Sequence, residues 1–169
     1  MPRKPRRAAE RPEKIVTGGQ TGVDRGALDA AIALGIPHGG WCPRGRLAED
    51  GRIPPHYRLT ETDSPEYRVR TERNVVDSDG TLILCRGQPA GGTELTRQLA
   101  QRHRKPCLVV DLDQPPSPER IRRWIARHRL RVLNVAGPRE SQSPGIAVQA
   151  RAMLEACFGP SPAQGPGGE

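Results

Sequence analysis

Residues 14–34 read KIVTGGQTGVDRGALDAAIAL. The first four are short, partly β-branched and stop at two glycines, as a buried strand does. From Val23 the apolar positions Val23, Ala27, Ala30, Ala31 and Leu34 recur at helical spacing. Between strand and helix lies Gly18-Gly19-Gln20-Thr21-Gly22. Thr21 is placed to cap the first free N–H groups of the helix, and Asp24 stands where a capping box puts its acid. Glycine lets backbone N–H groups approach a ligand with no Cβ in the way. A helix N-terminus adds unpaired donors and a partial positive charge. The expected product is an anion site, most often for phosphate, and a plain strand-to-helix turn is the alternative. The spacing of Gly18, Gly19, Gly22 and Gly26 is not GxGxxG, and the P-loop GK[ST] is absent, which argues against a nucleoside triphosphatase.

Outward from this stretch, strands alternate with helices. Short strands are expected within residues 36–41 and 57–60, and apolar ones at TLILC (81–85), CLVVD (107–111) and residues 131–135. Helices are expected from Pro65, from Gly91, from Pro118 to Arg129 and after Gly145. This alternation predicts an α/β fold with a mostly parallel sheet and helices on both faces. Ligands of such folds bind outside the carboxyl ends of the strands. Four loops leave strands at that edge, residues 18–22, 41–46, 87–93 and 137–141. They offer a second glycine-started helix at Gly91, Gly92 and Thr93, and the guanidiniums of Arg44, Arg46 and Arg139. Arg139 and Ser141 suit phosphate oxygens. Arg70 and Asn74, four apart, share a helix face and read as a ligand face; an Arg70 ion pair with Glu66 or Asp63 is the alternative. Trp41 is placed either to stack on a flat ring or to plug the core.

Composition bounds the rest. A chain of 169 residues is expected to form one domain, and with two Trp, two Tyr and one Phe its core must be aliphatic. The net charge is +8, but residues 1–14 hold six basic side chains against two acidic ones, half of the excess. Residues 1–12 read as a disordered basic tail and residues 159–169, rich in Pro, Gly and Ser, as another, leaving 13–158 as the ligand-binding domain. The helix from Pro118 has an arginine face, Arg120, Arg122, Arg123, Arg127 and Arg129, which reads as a solvated surface, with a nucleic-acid module as the alternative. Cys42, Cys85, Cys107 and Cys157 show no paired spacing and are expected to be free thiols. The histidines lack metal-ligand spacing, so no protein-held metal is expected. No apolar run approaches the ~20 residues of a membrane span and no signal segment is seen, so no membrane contact and a cytoplasmic location are expected.

The segments GGQTGVDRGALDAA, WCPRGRLAEDG, RTERNVVDSDGTLIL, GGTELT, KPCLVVDL and LNVAGPRES together carry a resemblance. The chain resembles the putative molybdenum carrier family, the circularly permuted YpsA-type proteins of the SLOG group, which is related to the lysine-decarboxylase-like and "lonely guy" proteins. The resemblance spans residues 14–158. It implies a Rossmann-like three-layer fold, a homo-oligomer and a small anionic, nucleotide-like ligand. For the carriers that ligand is the molybdenum cofactor, a pterin bearing a phosphate (molybdopterin), with molybdoenzymes or cofactor-synthesis proteins as partners. Enzymes of the wider group are phosphoribohydrolases with PGGxGTxxE. Here Thr96 stands three after Thr93, where they carry Glu, and Glu94 is about 200° away from Thr96 around the helix. The resemblance therefore implies no catalytic residue, and a binding protein is expected. A hydrolase acting on an N-glycosidic or phosphate bond, with Asp24, Glu49 or Asp50 as substitute carboxylate, is the alternative.

Overall fold

The computed structural model describes residues 9–160. Its main sheet has five strands in the order β2-β1-β9-β7-β8, all parallel: β1 (Lys14–Val16), β2 (His38–Gly39), β7 (Gly80–Cys85), β8 (Cys107–Asp111) and β9 (Val132–Ala136). The parallel order needs crossovers, and helices supply them. These are α1 (Val23–Leu34), α2 (Tyr67–Val76), α3 (Gly91–Arg102), α4 (Pro118–His128) and α5 (Ile146–Phe158).

Alternation along the strands divides the core between two faces. Ile15, Leu82, Leu84, Leu133 and Val135 pack with the inner residues of α1, α4 and α5. The small residues Ala27, Ala30 and Ala31 of α1 and Ala150 of α5 are fully buried, letting these two helices approach closely. On the other face Val75 of α2 meets Leu99 and Ala100 of α3. There Asn134 donates to Thr81 Oγ1 at 3.2 Å, so the buried polar pair is satisfied. The three-layer Rossmann-like arrangement follows.

The single strand expected within residues 36–41 is cut in two. Gly40 has φ +124°, and a Cβ there would lie 2.2 Å from the Thr17 carbonyl oxygen. The chain therefore turns off the main sheet after β2. Trp41 and Cys42 form β3 (Trp41–Cys42), paired in parallel with β6 (Thr60–Glu61) in a separate two-stranded sheet. Residues 57–59 make turns, so the strand expected at 57–60 begins only at Thr60. Between them β4 (Leu47–Ala48) and β5 (Gly51–Arg52) form a small hairpin. Arg46 fastens this insertion: its guanidinium donates to the carbonyls of Ile53, Pro54 and Tyr57 at 3.1, 2.9 and 2.8 Å. The helix expected from Pro65 begins two residues later, because Glu66 is its N-cap and Pro65 precedes the cap.

Of the expected basic tail, residues 9–12 lie against the domain. Arg11 donates to the carbonyls of Phe158 and Leu34 at 3.1 and 2.7 Å, and Glu10 lies 3.9 Å from Arg122. Residues 1–8 and 161–169 fall outside the described residues. Arg122, assigned to a solvated face, also donates to the Cys157 carbonyl. All four cysteines are free, and three of them, Cys42, Cys85 and Cys157, are buried. No helix among the described residues is long and apolar enough to cross a membrane.

Candidate functional site

Three carboxyl-edge loops and one helix converge on a pocket of about 150 Å³. Gln20 and Asp24 come from the β1–α1 connection, Gly92, Thr93 and Thr96 from the start of α3, Gly137 and Arg139 from the loop after β9, and Tyr67, Arg70 and Thr71 from α2. The fourth loop, residues 41–46, does not reach it. It rides on the β3–β6 pair, where Arg44 donates to the Asp63 carbonyl at 2.9 Å.

The β1–α1 glycine loop is built differently from its expected form. Most of its N–H groups are engaged within the protein: Gly19 donates to Thr17 Oγ1, Gln20 to Asp24 Oδ2 at 3.1 Å, Thr21 to Gln20 Oε1, and Val23 to the Pro138 carbonyl. Gly22, not Thr21, is the N-cap of α1, with no side-chain cap. The Thr21 hydroxyl accepts from the Glu140 N–H at 3.2 Å and donates to Glu49. The glycines make room for protein. A Cβ on Gly18 would lie 2.5 Å from Arg70 Nε, so Gly18 is the floor under that guanidinium. Gly19 has φ +79° and backs onto Leu59 and Ile53, while Gly22 has φ +80° and backs onto the Pro138 carbonyl. In α3 the outcome is the reverse. Like α1 it has no side-chain cap, but a Cβ on Gly91 or Gly92 would meet nothing within 4 Å. This helix start is the open one.

This contrast gives a test. Gly19→Val forces a β-branched residue into positive φ and into Leu59, so it should cost roughly 2–4 kcal/mol of stability. Gly18→Ala should cost less than Gly19→Val, because a side chain, that of Arg70, must move and no positive φ is strained, while anion affinity falls about tenfold. Thermal melts and titrations of both variants check this; equal melting temperatures would remove the distinction.

Arg70 is the centre of the pocket. Its Nη1 donates to the Thr71 hydroxyl, which in turn donates to the Tyr67 carbonyl at 2.9 Å. Its Nε is buried and has no partner among the described residues, and the same holds for Gln20 Nε2. Gln20 is only 6% exposed. Arg70 and Arg139 both lie over the Tyr67 ring, at 5.2 and 5.3 Å from its centroid. Burial pulls Arg70 below the ordinary guanidinium range, against the opposing pull of Asp24 and Tyr67. Asp24 is pushed up to about 6 by burial, although Arg70 and the N–H of Gln20 favour its charged form.

Other expected site residues have protein partners. The Asn74 amide accepts from the Trp41 N–H at 2.8 Å and donates to the Trp41 carbonyl at 2.9 Å, fixing β3 to α2. Ser141 bonds Glu49. Trp41 is half-buried and outside the core. Arg73 lies 4.5 Å over its ring and its Nε1 donates to Asp77. Glu94 is held by Arg97 and Gln98 on the outside of α3, whereas Thr96 lines the pocket. Tyr67, Thr96 and Gln142 line the pocket without having been expected there. For Tyr67 the available signal was its position three before Arg70 on one helix. Among the described residues no three His, Cys, Asp or Glu side chains are grouped as metal ligands, and the basic groups of the pocket suit an anion.

The fold and this pocket define a Rossmann-like domain with a cationic cleft at the carboxyl edge of its sheet. The model of the circularly permutated YpsA SLOG family matches residues 15–158, and the chain belongs to that family. It is similar to the crystal structure of a putative molybdenum carrier protein from Syntrophus aciditrophicus SB. The two share 47% identity at a TM-score of 0.84, over 87% of this chain and 95% of the other. No curated protein matches.

Proposed function

We propose that this protein binds a phosphate-bearing pterin or nucleotide and acts as a carrier, with the molybdenum cofactor as its cargo. The observation that supports this is the pair of buried, partnerless donors, Arg70 Nε and Gln20 Nε2, in one cationic pocket. Leaving buried donors unpaired costs about 1–3 kcal/mol each, and an oxyanion relieves both. At about 150 Å³ the pocket is small beside the roughly 300–1,000 Å³ that enclose whole ligands. It suits a phosphoryl group, with the ring system of the ligand lying at the mouth, where Tyr67 and Arg68 stand. The residues present fit the phosphate of such a cofactor: Arg70, Arg139, Gln20 and the uncapped start of α3. Delivery to molybdoenzymes or cofactor-synthesis proteins, and assembly as a homo-oligomer, belong to the same reading.

Native mass spectrometry of the purified protein should find a phosphate-bearing small molecule. Arg139→Ala should weaken binding of that molecule, or of GMP where none co-purifies, by about ten- to a hundredfold, the effect of one charge-assisted hydrogen bond of roughly 1.5–3 kcal/mol. Wild-type affinity in a folded Arg139→Ala protein would put the ligand elsewhere.

One observation favours the hydrolase as a second reading. Asp24 is a carboxyl group in the pocket, poised at about 6 beside an arginine, as a general acid or base would be. Multiple turnovers of AMP or GMP, lost in Asp24→Asn, would establish it. Glu94 faces away and is not expected to matter.

A further inference from the structure

Beside the pocket, a set of anion-binding groups already holds an anion supplied by the chain itself. The tip of the β4–β5 hairpin carries Glu49 and Asp50. The Glu49 carboxylate accepts from the Thr21 hydroxyl, from the Ser141 hydroxyl at 2.5 Å and from the Ser141 N–H at 3.2 Å. Arg139 Nη1 lies 3.9 Å from the same carboxylate. These donors come from the loops after β1 and β9, the two that also build the pocket, and Arg139 lines both places. Hydroxyl, N–H and guanidinium groups converging on one point are what a phosphoryl oxygen needs.

The tip is held mainly by charge. Asp50 pairs with Arg25, through Nη2 at 2.7 Å and through Nη1. The Glu49 N–H donates to Gln20 Oε1 at 2.9 Å. The flanks are fixed by packing, with Ala48 and Ile53 buried against Leu28, Cys42 and Tyr57. Residues 49–51 themselves are exposed. Gln20 therefore spans the two places. Its oxygen holds the hairpin tip and the Thr21 N–H, and its partnerless nitrogen belongs to the pocket.

We propose that the Thr21–Arg139–Ser141 cluster is a second anion subsite, that Glu49 is its resident occupant, and that a ligand bearing two adjacent phosphoryl groups displaces the Glu49 carboxylate and releases the hairpin tip. The proposal rests on the pocket binding a phosphoryl group at Arg70, as argued above. A diphosphate brings more charge to Arg139 than one carboxylate does, and its second group reaches the cluster only when Glu49 leaves. A monophosphate stays in the pocket and leaves the latch closed.

The test uses the full chain, wild type and Glu49→Gln, titrated calorimetrically with inorganic phosphate and inorganic pyrophosphate. Gln keeps one accepting oxygen for the Thr21 hydroxyl and the Ser141 N–H, and its amide NH2 can donate to the Ser141 hydroxyl, so the substitution removes the charge and the contact with Arg139 while leaving the hairpin tip hydrogen-bonded. Phosphate should gain no more than about threefold in Glu49→Gln, because Arg139 loses one competing carboxylate, and pyrophosphate should bind Glu49→Gln at least tenfold more tightly. Saturating the wild type with pyrophosphate should speed amide exchange at residues 49–51, and phosphate should not. If phosphate binds through Arg70 but pyrophosphate affinity is the same in both proteins, the latch is wrong and the pocket stands. If neither protein binds either anion, latch and pocket fall together.

Discussion

Replacing Arg70 with alanine should abolish measurable phosphate binding, a loss of at least a hundredfold. Two of its donor groups face this environment: Nε, buried without a partner, and the Nη atoms beside Thr71. Two charge-assisted hydrogen bonds at roughly 1.5–3 kcal/mol each convert to a factor of a hundred or more. Arg70→Lys should recover little of it, because an ammonium cannot present the planar fork that occupies the floor left by Gly18. The substitution also strips Asp24 of its counter-charge. A buried carboxylate left alone costs about 3–5 kcal/mol unless it takes up a proton, and one already at about 6 does so readily. Arg70→Ala should therefore melt close to wild type at pH 6 and below it at pH 8. Adding Asp24→Asn should restore the melting temperature at pH 8 without restoring binding. Calorimetry with phosphate and thermal melts at both pH values read these effects. An Arg70→Ala protein that binds phosphate within tenfold of wild type would remove the guanidinium from the site.

The elements that were legible in the sequence are those whose side chains meet one simple demand. TLILC and CLVVD are short apolar runs rich in β-branched residues; they are β7, buried throughout, and β8, the edge strand, on which Val109 stays exposed. The helix expected from Pro118 is α4, with Pro in its first turn, and Ser117 caps it. The pocket was half legible. That the loops after β1 and β9 and the start of α3 meet follows from the carboxyl-edge rule. What a missing Cβ makes room for does not. Gly18 admits Arg70, Gly19 admits Leu59 and Ile53, and Gly92 admits nothing from the protein; all three look alike as letters. Arg44, Arg46 and Arg139 were likewise indistinguishable. Arg46 ties down backbone carbonyls and Arg44 holds Asp63, because the insertion carrying both leaves the main sheet at Gly40. Only the positive φ of that glycine shows the departure. Glu49 is the sharpest case. It is an exposed residue on a short hairpin, and its meaning depends on Thr21 and Ser141, 28 and 92 positions away.

Anion binding should carry a proton with it, and Asp24 is the group that takes it. Its pKa in the folded protein is about 6, against 3.8 as the ordinary value. An acid raised on folding contributes stability that is fully present below its unfolded value and is lost as pH rises through the folded one. The shift corresponds to about 3 kcal/mol, since one pKa unit is about 1.36 kcal/mol. The wild-type stability curve minus the Asp24→Asn curve should therefore fall by roughly that amount between pH 4 and 7. Taking the difference cancels Glu49, Asp50 and Glu72, whose depressed values act in the opposite direction at the acid end. At neutral pH Asp24 is charged and faces the pocket that a dianion must enter. The incoming charge takes over Arg70 and pushes Asp24 up further, so the complex holds one more proton than the free protein. Sulfate is the appropriate probe, because it stays a dianion across the whole range and adds no titration of its own. Its affinity should fall about tenfold per pH unit between pH 6.5 and 8. Calorimetry at pH 7 in two buffers of different ionisation enthalpy should register uptake of close to one proton. In Asp24→Asn the uptake should vanish and the pH slope should flatten. A wild type whose sulfate affinity is level from pH 6.5 to 8, or an Asp24→Asn protein that keeps the slope, would place the proton on another group and leave Asp24 only the task of holding the N–H groups of Gly18 and Gln20 in the loop.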